Sequence, residues 1–210
     1  MSWNGKIKVR LGVFGGTFDP PHLGHLILAA EAYDQLGLER LLFVVTPDPP
    51  HKYGLEISPL KHRFAMLRAS ITDNPDFELS RVDIDRPPPH YAVDTAQILA
   101  RQFPGAELVY LMGGYSLRDL PDWHNPQSFV DVIHSLGVMR RPGDHIDLSG
   151  LEELLPGAAD KVRFVDAPLL EIASSQIRER VSQGRPFRYY LAPPVYHYIL
   201  EHKLYQAGDE

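Results

Sequence analysis

At 210 residues, 44% of them hydrophobic, the chain is long enough for one α/β core with a small appended lobe. A net charge of −6 excludes a general basic footprint for duplex nucleic acid, and the lack of cysteine excludes a disulfide frame and a thiolate metal site. The opening MSWNGKIKVR holds no apolar signal core and no apolar run reaches membrane length, so a cytoplasmic protein away from membranes is expected.

In chain order, Ile7, Val9, Leu11 and Val13 predict a strand ending at Phe14. Gly15 and Gly16 let the backbone turn sharply and let a ligand come close. Asp19-Pro20-Pro21 stops regular structure, and a helix is expected from about Leu23 with Leu23, Leu26, Ile27 and Ala30 on one face. Its start offers free backbone N–H groups and the positive end of a dipole, a natural place for a phosphate. His22 and His25 sit there three residues apart, aimed at roughly the same place. They serve either as donors to phosphoryl oxygens or as surface polarity and a local cap. The stretch is not a Walker P-loop, and it does not complete G-x-G-x-x-G.

Gly37 is a C-cap candidate, and Leu41 to Val45 reads as a strand buried on both faces. The Pro-rich loop Thr46 to Lys52 follows at that strand's end, which puts His51 and Lys52 either on a ligand rim or at a solvated loop tip. Ser58 is the expected cap of a helix carrying Leu60, Phe64, Leu67 and Ile71 inward, with Lys61, His62 and Arg63 on a solvated face. Phe77 to Ile84 is an expected strand, with Asp83, Asp85 and Arg86 as its charged end. A helix over Tyr91 to Gln102 and a strand over Ala106 to Met112 come next, then Gly113-Gly114-Tyr115 on the same rim. Trp123, in a Pro-flanked loop, is a packed lid residue or a stacking platform for a flat ring.

Pro126 opens a helix with Phe129, Val132 and Ile133 inward, and Ser135 to Met139 is a short strand. Arg140 beyond it reaches a phosphate or is an ordinary charged strand end. A short helix near Leu148 to Leu155 and a last strand over Val162 to Val165 complete the sheet. In Ile172 to Arg178, Ser174 or Ser175 is the expected N-cap, with Glu179 near the reciprocal position and Gly184 ending the helix. An Arg178 in that first turn opposes the dipole, unless it shares a phosphate with the free N–H groups. Strands alternating with helices predict an α/β, Rossmann-like doubly wound parallel sheet with helices on both faces. The whole chain is expected to form one domain, with about 170–210 as a small helical subdomain.

Gly15-Gly16-Thr17-Phe18-Asp19-Pro20 followed by His22-x-Gly24-His25 resembles the signature of the H-x-G-H nucleotidylyltransferase superfamily. Pro50-His51-Lys52, the Trp123 segment, Ile172 to Arg178 and the closing Leu191 to Tyr205 are similar to its nicotinate mononucleotide adenylyltransferase branch. Three positions depart from that branch: Tyr115 stands at an acidic position, Ala92 at a frequent Thr, and Ala173 at the first Ser of the second signature. The resemblance implies transfer of AMP from ATP to nicotinate mononucleotide in NAD biosynthesis. Another acceptor, such as nicotinamide mononucleotide, or a non-catalytic nucleotide-binding regulator is the alternative. It implies His22, His25 and Arg178 as catalytic residues, and Gly15, Gly16, Thr17, Phe18, Gly113, Ser174 and Ser175 as further ATP contacts. Lys52, Tyr91, Trp123 and Arg140 would hold the mononucleotide. Mg²⁺ is expected to arrive with ATP rather than in a protein cage. The partners implied are ATP and the mononucleotide, with monomer and homo-oligomer both compatible.

Overall fold

The computed structural model describes residues 9–49, 57–139, 146–168 and 170–206. Strands β1 (Arg10–Gly16), β2 (Arg40–Val45), β3 (Phe77–Ser80), β4 (Glu107–Gly113), β5 (Ser135–Met139) and β6 (Val162–Val165) form one sheet. Their order is β3-β2-β1-β4-β5-β6, and every neighbouring pair is parallel. Parallel neighbours need a crossover over the sheet, and helices supply it. These are α1 (Leu23–Gln35), α2 (Leu60–Ile71), α3 (Ala92–Gln102), α4 (Gly114–Arg118), α5 (Pro126–Val132) and α6 (Leu148–Leu154); α7 (Ser174–Ser182) and α8 (Pro193–Glu201) follow the last strand. The fold is the expected Rossmann-like α/β arrangement.

The alternation of side chains along each strand divides the core. Leu42 and Val44 of β2 join Val13, Leu136 and Val138 on one face, under Leu99 of α3 and Phe129 of α5. Leu41, Phe43 and Val45 point the other way, against Leu28 and Ala29 of α1 and Leu67 of α2. A third cluster joins Ile177 and Val181 of α7 to Val195 and Ile199 of α8, with Met66 of α2 between them. No helix among the described residues is long and apolar enough to cross a membrane.

The end of β3, the cap of α2 and the buried face of α1 differ from expectation. β3 ends at Ser80 rather than Ile84, because the Asp85 N–H donates to the Arg81 carbonyl and closes a turn. Helix α1 buries Leu28, Ala29 and Ala32, while Leu23, Leu26 and Ile27 are half-buried and Ala30 is exposed. Its first turn stands at the rim and meets the sheet one turn later. Pro59, not Ser58, is the N-cap of α2. Helix α4 was not expected: five residues are too few to show a period.

From β1 the chain builds outward through β2 and β3, and then returns to place β4 on the other side of β1. The carboxyl ends of β1 and β4 therefore flank the point where winding reverses, where open α/β sheets form their ligand crevice.

Candidate active site

Strand β1 runs through Gly15 and Gly16, so these residues do not make the sharp turn expected of them. Close approach is their role instead. A Cβ at Gly15 would stand 2.5 Å from the Tyr110 hydroxyl oxygen, and one at Gly16 2.9 Å from the Phe18 ring. Phe18 holds a left-handed backbone at φ +50° and packs its ring edge-on to His25, with centroids 5.0 Å apart. It backs the imidazole with an apolar wall.

His22 is the N-cap of α1 and is 7% exposed. The His22 and His25 rings stack at 3.7 Å between centroids, so the structure brings the pair together. Gly24 makes room for this: a Cβ there would lie 3.1 Å from His22 Nδ1. The backbone N–H of His22 donates to His25 Nδ1 at 3.1 Å. A neutral His25 thus keeps its proton on Nε2, the ring nitrogen that donates.

The second stretch docks onto the first. Ala173 is the N-cap of α7, and Ser174 is its first helical residue, so neither serine caps. Gln176 Oε1 accepts the Ala173 N–H at 3.2 Å, taking the reciprocal position expected for Glu179. Ser174 Oγ donates to the Pro20 carbonyl at 2.9 Å, and Arg178 Nη1 donates to the Asp19 carbonyl at 2.7 Å. Ser175 is exposed at the same helix start. Residues more than 150 positions apart in sequence thereby share one rim.

Two residues central to this rim escaped the sequence reading. Arg63, expected on a solvated face, is 2% exposed. Its guanidinium donates to the carbonyls of Ser58 (2.9 Å), Thr17 (3.1 Å), Thr46 (2.8 Å) and Pro47 (2.7 Å). It joins the loop after β1, the loop after β2 and the start of α2. Burial pulls its basicity down, and the Asp19 and Asp48 carboxylates pull it back up. The available signal was register: Arg63 lies three, four and seven residues before Met66, Leu67 and Ser70, all buried on α2. Asp19 is the second, 4% exposed, with Oδ1 accepting from the Tyr205 hydroxyl at 2.6 Å and Oδ2 from the Ser58 N–H at 3.0 Å.

Across the crevice, Gly113 ends β4 and is the N-cap of α4. Tyr115 is 52% exposed in the first turn of α4, with the Arg118 guanidinium 4.7 Å from its ring centroid. Trp123 is half-buried against Phe129 and Tyr110, at 5.4 and 6.2 Å between centroids. Tyr91 is the N-cap of α3 and stacks on His124 at 4.0 Å. Asp83 is no solvated strand end: it is 3% exposed and accepts from Arg86 Nε and Thr95 Oγ1. Arg86 in turn donates to the Pro89 and Tyr91 carbonyls and fixes the start of α3. His51, Lys52 and Arg140 lie outside the described residues.

Imidazole, guanidinium and serine groups gather at two helix starts, and groups of this chemistry suit an anion. Among the described residues no group of three His, Cys, Asp or Glu side chains could hold a metal ion. The imidazole, guanidinium and serine groups stand beside the β1–β4 switch point of a Rossmann-like sheet, the place where open α/β sheets take their ligands.

The chain belongs to the cytidylyltransferase-like family, whose model matches residues 13–180. It is 48% identical over 200 residues to the probable nicotinate-nucleotide adenylyltransferase of Thermomicrobium roseum, covering 95% of this chain and 93% of that one. It is 34% identical to the nicotinate-nucleotide adenylyltransferase of Bacillus subtilis, covering 94% and 99%. The solved Plasmodium falciparum nicotinic acid mononucleotide adenylyltransferase complexed with NaAD shares the fold, with a TM-score of 0.76 at 17% identity and coverage of 94% and 97%.

Proposed function

We propose that this chain transfers AMP from ATP to nicotinate mononucleotide, giving nicotinate adenine dinucleotide and pyrophosphate. The observation that carries the chemistry is the stacked His22–His25 pair, docked through Asp19 and Pro20 to Arg178 and Ser174. Support for the acceptor comes from the relatives: proteins similar over nearly the whole chain are named nicotinate-nucleotide adenylyltransferases.

The acceptor's phosphate oxygen attacks the α-phosphorus of ATP. A new P–O bond forms, the bond to the β-phosphate bridging oxygen breaks, and its electron pair leaves with pyrophosphate. The attacking group is already an anion, so no side chain has to remove a proton. Catalysis is then positioning plus stabilisation of charge on the phosphoryl oxygens. In this proposal His25 Nε2–H and His22 donate to the ATP phosphates. Arg178 and the α7 start with Ser174 and Ser175 hold the leaving pyrophosphate, and Gly15 to Phe18 and Gly113 give the nucleotide its backbone contacts. Tyr91 and Trp123 flank the pyridine ring, and Lys52 and Arg140 bind the acceptor phosphate. Mg²⁺ enters with the triphosphate as part of the substrate. Such substrates go with a cytoplasmic setting.

The test is a mass-spectrometric endpoint assay of the protein with ATP and Mg²⁺, supplied with nicotinate mononucleotide or nicotinamide mononucleotide. Dinucleotide formed mainly from the acid is the expected result. Product mainly from the amide overturns the acceptor, and ATP binding without product from either overturns the reaction.

A further inference from the structure

The end of the described chain reaches back to the site near its beginning. In sequence, Leu204-Tyr205 reads as packing, and Leu204 does pack with the α7–α8 cluster. Tyr205 does something else: its hydroxyl donates to Asp19 Oδ1 at 2.6 Å. The same Asp19 accepts the Ser58 N–H on Oδ2 and, through its carbonyl, Arg178 Nη1. One residue of the first signature thus receives the approach to α2, helix α7 and the last described turn together.

The backbone on both sides of this contact is held in conformations that residues with a Cβ disfavour. Phe18 precedes Asp19 at φ +50°, while Lys203 and Tyr205 stand at φ +49° and +63°. Such conformations persist where the surroundings over-determine them, and they gather at functional sites. Burial first, and then the Asp19 carboxylate, push the Tyr205 hydroxyl well above the usual phenol range, so it stays a donor.

We propose that Tyr205 is a positioning residue for the nucleotide: through Asp19 it fixes the loop leading into His22 and the carbonyl on which Arg178 docks. This rests on the adenylyl-transfer reading of the same site. The effect falls on ATP and not on the acceptor, because Asp19 touches the groups assigned to the triphosphate. Tyr91 and Trp123 are held separately, by Arg86 and by Phe129.

Tyr205→Phe removes one oxygen and keeps the ring. The expected result is a loss of about tenfold in affinity for α,β-methylene-ATP by calorimetry, the size of one hydrogen bond to a charged group. KM for ATP rises in parallel and KM for nicotinate mononucleotide stays unchanged. Asp19→Asn weakens the analogue similarly, and the double variant loses little more than either single one. It also carries the test should Tyr205→Phe fail to fold. Tyr198→Phe is the control: it removes a hydroxyl of α8 that contacts His62 Nδ1, and both affinities stay at wild-type values.

Wild-type affinity of Tyr205→Phe for the analogue overturns the proposal, as do equal losses toward both substrates. So does a fall in Tm and kcat together with both KM values unmoved, which is a structural role alone. The calorimetry needs no turnover. If the wild-type protein makes no dinucleotide, the acceptor reading fails while the analogue affinities still decide the role of Tyr205.

Discussion

An imidazole whose Nδ1 accepts a backbone N–H can offer a ligand only its Nε2–H. His25 is in that state, with its other face covered by Phe18 and its neighbour His22 stacked alongside. The charge-stabilising role proposed for it therefore depends on one nitrogen. His25→Ala is expected to lower kcat by about 10²-fold or more, as for the loss of a transition-state donor. Circular dichroism and Tm are expected to remain near wild type, since the ring is not part of the sheet's core. A folded, fully active His25→Ala protein removes the assignment. At this scale the sequence was readable where spacing carries meaning: two histidines three apart at a helix start had to meet. Arg63 was not readable in the same way. Lys61 and His62 beside it suggest a solvated face, and its burial depends on carbonyls from two loops, those after β1 and β2, brought together only by the fold.

Among elements, the pairing of β1 with β4 creates a steric condition at the crevice. Tyr110 of β4 projects its hydroxyl over Gly15 of β1, leaving 2.5 Å to a would-be Cβ. Gly15→Ala is expected to cost about 1–3 kcal/mol in urea denaturation, the usual range for overpacking. Tyr110→Phe should relieve most of that cost, because the next atom of the ring is 3.4 Å away, an ordinary contact. An unrelieved loss in the double variant rules out this clash as the reason for glycine. The elements themselves were largely legible. Leu41 to Val45 and Ser135 to Met139 are short apolar runs with sharp ends, and both became strands at those positions. Boundaries slipped where side chains outcompeted local preference. Ser58 gives its N–H to Asp19 and its carbonyl to Arg63 instead of capping α2. Gly15-Gly16 was read as a turn because one sequence does not show which neighbour crosses over a strand.

For the molecule as a whole, two phenols, Tyr110 buried and Tyr205 half-buried, set an alkaline limit. Burial, with Asp83 nearby, raises the pKa of Tyr110, and burial with Asp19 raises that of Tyr205. The folded state then holds both protons after the unfolded chain has released them, above about pH 10. Stability from these groups is intact below that pH and falls as pH rises toward the folded-state values. The slope is about 1.4 kcal/mol per pH unit for each phenol. Tyr110→Phe is expected to flatten the alkaline limb of the denaturation free energy by that amount, and an unchanged slope contradicts it. Sheet order, unlike sheet composition, was not written in the chain. Alternation of strands and helices implies parallel pairing, but the return of β4 to the side of β1 follows from packing over distance.

The hydrogen bond from Ser174 to Pro20 spans 154 positions and that from Tyr205 to Asp19 spans 186. A ribosome delivers the two histidines about 150 residues or more before the groups that hold their loop. Until α7 and α8 emerge, a nascent chain displays the His22–His25 signature without the partners that set it in place. The assembled site thus appears only after the segment from Ser174 to Tyr205 has been made, and a chain clipped before Ser174 keeps its histidines while losing the docking that aligns them.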